Sequence, residues 1–280
     1  MIFISSACVK HNKIKDSVQE LVNNGFKNIE LSGGTTFYNG FVEDLLELKA
    51  KYNLNYICHN YFPPPENHFV VNLASLDDVV FKKTFDHLER SINLSKKLNA
   101  QKFGFHAGFF YNIPLDQIGK SIAKQTLFDK KTSIIRFCSA FNSLKDNHPS
   151  ISLYLENNVL SHQNFKNFGD NFFMLTNMSE YSDLIKKINF NLILDVAHLK
   201  VSCNSLNLNF VQEFDHLFNK SDYIHISDNN GLIDQNKGLQ KSSNLYNTLS
   251  QYSFKNKTVT IEVYESMEEI INTYNLINNL

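Results

Sequence analysis

The chain of 280 residues carries 27 basic and 28 acidic side chains, a formal charge of −1, and its only arginines are Arg90 and Arg136; no net field draws it to a polyanion, so nucleic acid is not the expected partner. Apolar residues make up 42% of it, 24 of them Phe, enough for a sizeable core. Cys8, Cys58, Cys138 and Cys203 lie far apart with no Cys-x-x-Cys pair, and no window nears about 18 uninterrupted apolar residues; the expectation is a cytoplasmic protein with reduced thiols and no membrane span.

In chain order, strands alternate with helices. Ile2–Ser6 reads as a strand, and Ile14, Val18, Leu21 and Val22 mark a helix that Gly25 closes. Asn28–Leu31 is a second strand and Val42–Tyr52 its helix; Leu54–His59 is a third, opening into a loop at 60–74 whose Pro63-Pro64-Pro65 forbids helix and central strand alike. Ser75 with Asp78 is expected to cap a long helix through Phe81, Phe85, Leu88, Ile92 and Leu98. Lys102–His106 is the fourth strand, with helical material expected from Leu115 to about Leu144, and Ile151–Glu156 the fifth, followed by a loop-rich passage and a helix near Glu180–Ile188. The stretch 190–198 is an apolar sixth strand delivering Asp195 and then His198 as it ends. A helix at Phe210–Phe218, a seventh strand at Asp222–Ile226, a short helix at Leu245–Tyr252, an eighth strand at Thr258–Val263 and a closing helix capped by Ser266 and Glu269 complete the chain.

Eight strand-then-helix units with no linker predict one closed (β/α)8 barrel domain over residues 1–280, the rival being a doubly wound open sheet. In a barrel, the downstream ends of all strands share the face that carries the chemistry. Glu30, His59, His106, Glu156, Asp195, His225 and Glu262 all stand at such ends. Glu156, Asp195, His225 and Glu262 come from four consecutive strands, so three carboxylates and an imidazole should converge. Taken singly, each reads as an ordinary strand-end carboxylate or core histidine; together, their mutual repulsion implies a divalent cation.

Four motifs, Leu155-Glu156-Asn157-Asn158, Leu194-Asp195-Val196-Ala197-His198, Ile224-His225-Ile226-Ser227-Asp228 and Ile261-Glu262-Val263, resemble the metal motifs of the xylose-isomerase-like superfamily, which holds sugar and sugar phosphate isomerases and epimerases and also the endonuclease IV branch. The resemblance covers essentially the whole chain. It implies a metal on Glu156, Asp195, His225 and Glu262, proton transfer by Glu156 and Glu262, and a hydrogen-bonding or proton-shuttling role for His198. His59 with Asn72-Leu73-Ala74-Ser75, and His106-Ala107-Gly108, lean towards the endonuclease IV branch and imply a second metal on His59 and His106 with Glu156 bridging, two zinc ions in all. A third metal in that branch would use His198 and an Asp-x-His pair; here Asp234-Gln235-Asn236 ends in an amide, a poor zinc ligand.

The loops at 60–74, 157–171 and 227–240 hold Asn, Phe, Tyr and Pro and, as cations, only Lys166 and Lys237, where a phosphodiesterase would need several. Tyr61, Phe62, Phe109, Phe110 and Tyr111 are available to the faces of a sugar ring, with Tyr61, Asn157 and Asn236 the expected substrate contacts. The expected function is a divalent-metal-dependent (Mn, Mg, Co or Zn) isomerase or epimerase of a small carbohydrate, working through an enediolate. The alternatives are a zinc phosphodiesterase of the endonuclease IV type and a sugar-binding barrel without turnover. A homo-oligomer is compatible with all three.

Overall fold

The structure, a computed structural model, describes residues 1–280. Eight parallel strands close into a barrel in the order of the sequence: β1 (Ile2–Ser5), β2 (Asn28–Leu31), β3 (Asn55–His59), β4 (Lys102–His106), β5 (Ser152–Glu156), β6 (Asn191–Asp195), β7 (Ser221–Ile226) and β8 (Thr258–Ile261), the last pairing with the first. Around them lie α1 (Ile14–Asn23), α2 (Phe41–Tyr52), α3 (Asp78–Lys97), α4 (Lys130–Asn147), α5 (His162–Phe168), α6 (Met178–Ile185), α7 (Val196–Leu206), α8 (Phe210–Phe218), α9 (Asn244–Leu249) and α10 (Met267–Asn278). None is long and apolar enough to cross a membrane.

Alternation along the strands divides two environments. One set, including Ile29, Tyr56, Phe103, Leu155, Leu194 and Ile224, packs outward into the main core beneath the helices. The other set points inward, and Phe3, Ile57, Tyr154, Ile193 and Tyr223 form an apolar plug there. Two residues further along each of those strands the inward positions are Ser5, His59, Glu156, Asp195 and His225, so the plug supports the polar layer. Gly104 makes the inward turn of β4 fit: a Cβ there would lie 2.3 Å from Ile193 Cδ1 and 2.8 Å from the His59 ring.

Three local expectations are corrected. The cap of α3 is Asp77 rather than Ser75: its Oδ1 accepts from the amides of Val79 and Val80, at 2.8 and 3.2 Å, while Ser75 Oγ accepts from Asp77 N and shapes the approach. Helix does not fill 115–144; after one 3-10 turn at Leu115–Gln117 the chain runs without regular structure until Asp129 caps α4. Tertiary contacts override local preference here, since Ile122 is drawn into a satellite core with Tyr111 and Phe172 and its amide donates to Asn164 Oδ1. Finally, the sixth strand ends at Asp195, and α7 starts at once, with Asp195 Oδ1 accepting from His198 N at 2.7 Å. Because α7 is buried nearly all round, its sequence shows no amphipathic period and reads as a continuing strand. The cap at Ser266, accepting from Glu269 N, lies where expected.

His87 of α3 is buried against the edge of Phe69 with no partner for Nε2; burial, with Arg90 and Lys83 nearby, lowers its pKa to about 4. A folded-state pKa below that of the unfolded chain means the unfolded chain takes up the proton first. Its stability contribution is therefore full above about pH 6.5 and is lost as pH falls towards 4. We expect His87→Phe to lose about 2 kcal/mol less than wild type between pH 7.5 and 4.5 in denaturant titrations. Equal losses would show that His87 is not the titrating group.

Candidate metal centre and cavity

The downstream ends of β5, β6 and β7 and the residue just beyond β8 bring Glu156, Asp195, His225 and Glu262 together, one ligand atom of each lying within 4.8 Å of all the others. His225 Nδ1 stands 3.3 Å from Glu156 Oε1 and 3.6 Å from Glu262 Oε2. A second group adjoins it. His59 Nε2 and His106 Nδ1 are 2.7 and 3.1 Å from Glu156 Oε2, so Glu156 belongs to both groups. These approaches are close but not aligned as hydrogen bonds: both Glu156 oxygens, His59 Nε2, His106 Nδ1, His225 Nδ1 and Asp195 Oδ2 are buried with no hydrogen-bond partner. Lone pairs that converge without bonding one another suit a shared cation, and this donor set of carboxylates and imidazoles fits a divalent ion.

The electrostatics agree. Burial raises the Asp195 carboxyl to about 7, Glu156, Asp234 and Glu262 adding repulsion against the pull of His198. Burial would also raise Glu156, yet His106, His59 and His225 hold it well below the usual carboxylate range. Burial pushes His225 down, but Glu30, Glu262 and Glu156 outweigh it and raise it well above its ordinary value. The buried negative charge requires neutralisation by protons on imidazoles or by a cation.

Under this layer lies Glu30, fully buried on β2. It accepts from the hydroxyls of Tyr223, Thr260 at 2.9 Å and Ser32 at 3.0 Å, and its Oε2 is 3.1 Å from His225 Nε2. A proton on Nε2 donated to Glu30 leaves the Nδ1 lone pair facing Glu156 and Glu262. The sequence marks Glu30 as a strand end without giving it a role; what identifies it is its inward parity.

His198, in the first turn of α7, sets its Nδ1 2.9 Å from Asn157 O and its Nε2 3.3 Å from Asp234 Oδ2 and 3.8 Å from Asp195 Oδ2. Asn157, expected among the substrate contacts, instead bonds the fold: Oδ1 accepts from Asp195 N at 2.7 Å and Nδ2 donates to Asp195 O at 3.0 Å, clamping the end of β5 to the end of β6 beside Glu156 and Asp195. Asn72 has a similar task. Its amide bonds the backbone of Ala74, Phe109 and Tyr111, tying the loop after β3 to the loop after β4.

A cavity of about 640 Å³ opens over the centre, lined by His59, His106, His198 and Glu262, with Tyr61, Asp234 and Asn236 also at its surface. Glu156, Asp195 and His225 lie behind these side chains. Phe62, Phe110 and Tyr111 are buried core residues and do not reach it, whereas Phe109 borders an adjoining cavity. Lys10, His11 and Asn12, from the loop after β1, also line the opening, and no motif in the sequence singles them out. Their only signal is position, since every loop that follows a strand gathers on this face. Lys10 and Lys120 are the only cationic Lys or Arg side chains along the two cavities; Lys200 is spent on Asp228 at 2.6 Å.

A closed parallel barrel that gathers buried carboxylates and imidazoles at its downstream strand ends belongs to the class of (β/α)8 proteins, with its candidate site at the barrel mouth. Within that class the chain belongs to the xylose isomerase-like TIM barrel family, whose model matches residues 18–270. Among solved structures it is similar to a D-tagatose 3-epimerase-like protein (16% identity, 99% of this chain and 98% of that one, TM-score 0.70). It is also similar to a 3-keto-D-glucoside 4-epimerase from E. coli (10% identity, 100% and 99%, TM-score 0.66) and to endonuclease IV from Thermus thermophilus (11% identity, 99% and 97%, TM-score 0.61). At these identities the likeness is one of fold. No curated protein matches the sequence.

Proposed function

We propose that the protein is a divalent-metal-dependent isomerase or epimerase of a small carbohydrate. The observation that carries this reading is the pairing of a buried carboxylate–imidazole centre with a cavity whose walls offer Asn, His, Tyr and Glu but, with its neighbour, only two lysines. A phosphodiester backbone would need a denser set of cations; hydroxyls need neutral and anionic partners such as these. The ion, held by Glu156, Asp195, His225 and Glu262, would polarise a carbonyl and the hydroxyl beside it.

The rest is work for the side chains. Glu262, at the cavity surface, takes the proton from the carbon next to the carbonyl, and Glu156 serves as the second carboxylate that returns it. His198, fixed through Nδ1 by the Asn157 carbonyl, presents Nε2 to a substrate hydroxyl and shuttles its proton with Asp234. Tyr61 and Asn236 orient the ring. His59, His106 and Glu156 form a place for a second ion, the one observation that favours a zinc phosphodiesterase; a carboxylate-rich first site takes Mn, Mg or Co, and the imidazole pair favours Zn.

The test is isotopic. In D2O, metal-loaded protein should introduce deuterium at the carbon beside the carbonyl of at least one member of a panel of ketoses and keto-glycosides. Cleavage of an abasic duplex, with no exchange into any sugar, would replace this reading with the phosphodiesterase.

A further inference from the structure

Beside the polar cavity, and continuous with it, lies a second one of about 450 Å³ of a different character. The two share Tyr61, His106, Ile118, Gly119, His198 and Asp234, so a single ligand can occupy both. Beyond that shared border the exposed surface is mostly apolar, Phe109, Ile113, Ile122, Val159, Phe173 and Ile233 sharing the lining with polar residues such as Ser121, Ser161 and Gln163.

This wall is built, not incidental. Phe109, Ile113, Ile122 and Phe173 belong to a satellite core of their own, anchored by Tyr111, Leu160, Phe168 and Phe172. Asn164 pins it from beneath, its Oδ1 accepting from Ile122 N at 2.9 Å and its Nδ2 donating to Lys120 O at 3.1 Å. A separate observation points the same way: Leu115 and Ile118 in the loop after β4, and Leu232 and Ile233 in the loop after β7, are each 40–49% exposed. Ile118 and Ile233 line the apolar cavity itself, and Leu115 and Leu232 belong to the same two loops.

A free sugar uses the polar half only. Set against the side of the wall formed by Phe109, Ile122, Val159, Phe173 and Ile233, its hydroxyls would lose water without gaining a partner, at a cost that an apolar group does not incur. We infer that the substrate is a conjugate: a sugar-like polyol whose carbonyl and hydroxyls meet the metal centre, carrying an aryl or branched alkyl substituent that fills the pocket bounded by Phe109, Ile122, Val159, Phe173 and Ile233. The inference rests on the proposed function for its polar half and adds the class of substrate.

The experiment compares D-glucose with 4-nitrophenyl glucoside, in both anomers, on Mn-loaded full-length protein by ligand-observed NMR titration. At least one anomer of the glucoside should bind at least about tenfold more tightly than glucose, the return for burying an aryl ring. Ile233→Asp, at a half-exposed loop position where folding is insensitive, should remove that advantage and leave glucose binding unchanged. Val159→Trp, which fills the pocket, should do the same. Equal affinities for glucose and both glucosides, or an advantage that survives both substitutions, overturns the inference. Metal content and the deuterium exchange are read on the same samples: exchange without a glucoside advantage removes the conjugate and keeps the isomerase, whereas an advantage without metal or exchange removes the isomerase and keeps the apolar subsite.

Discussion

Glu156→Gln is expected to abolish turnover, by about a thousandfold or more, and to strip bound metal from both positions while leaving circular dichroism unchanged. The reason is topological. Glu156 is the one residue common to the two groups, Oε1 facing His225 and Oε2 facing His59 and His106. An amide is isosteric, so the barrel keeps its packing, but one of the two positions becomes an NH2 group that repels a cation. His59→Ala or His106→Ala, in contrast, should remove only about one equivalent of metal. Wild-type metal content in Glu156→Gln would show that the groups do not share this carboxylate.

The second large effect is expected one layer deeper. Glu30→Gln touches no ligand position, yet should weaken metal affinity by about 10–100-fold. In the wild type the Glu30 carboxylate can only accept, which places the His225 proton on Nε2. A glutamine amide can donate to Nε2 instead, moving the proton to Nδ1 and closing the lone pair that faces Glu156 and Glu262. In that orientation the carbonyl oxygen takes the Oε1 position and keeps the Ser32 donor, while the Tyr223 and Thr260 hydroxyls, which donate to Oε2 in the wild type, must rotate to accept from the amide. Isothermal titration of the metal-free protein with Mn²⁺ measures the change; an affinity equal to that of wild type would deny Glu30 its positioning role.

How far the sequence leads depends on which distances a feature spans. Strands such as Lys102–His106 are legible because they are short apolar runs, and their parity places each final charged residue inward. The convergence of Glu156, Asp195, His225 and Glu262 follows from barrel closure alone. Register is what the sequence withholds. Nothing in the string shows that Glu30 meets Tyr223 and Thr260, 193 and 230 positions away, because those contacts depend on which inward layer each strand contributes. Asn157 misleads for a related reason: a polar residue directly after Glu156 at the barrel mouth looks like a substrate contact, but its side chain is taken up by the backbone of the neighbouring strand. The apolar cavity is equally hidden, being assembled from the loops after β4, β5 and β7, which have no common period or motif. Of the loop aromatics the sequence offers to a sugar ring, Phe109 borders this cavity, whereas Phe110 and Tyr111 are packed into the interior.

Glu156, Asp195, His225 and Glu262 are proposed together to hold a catalytic divalent ion. Crystals of protein loaded with Mn²⁺, measured at the manganese edge, test it most directly. An anomalous peak is expected about 2 Å from a ligand atom of each of the four residues, including His225 Nδ1. Anomalous density confined to His59 and His106, or no peak among the four, would contradict it.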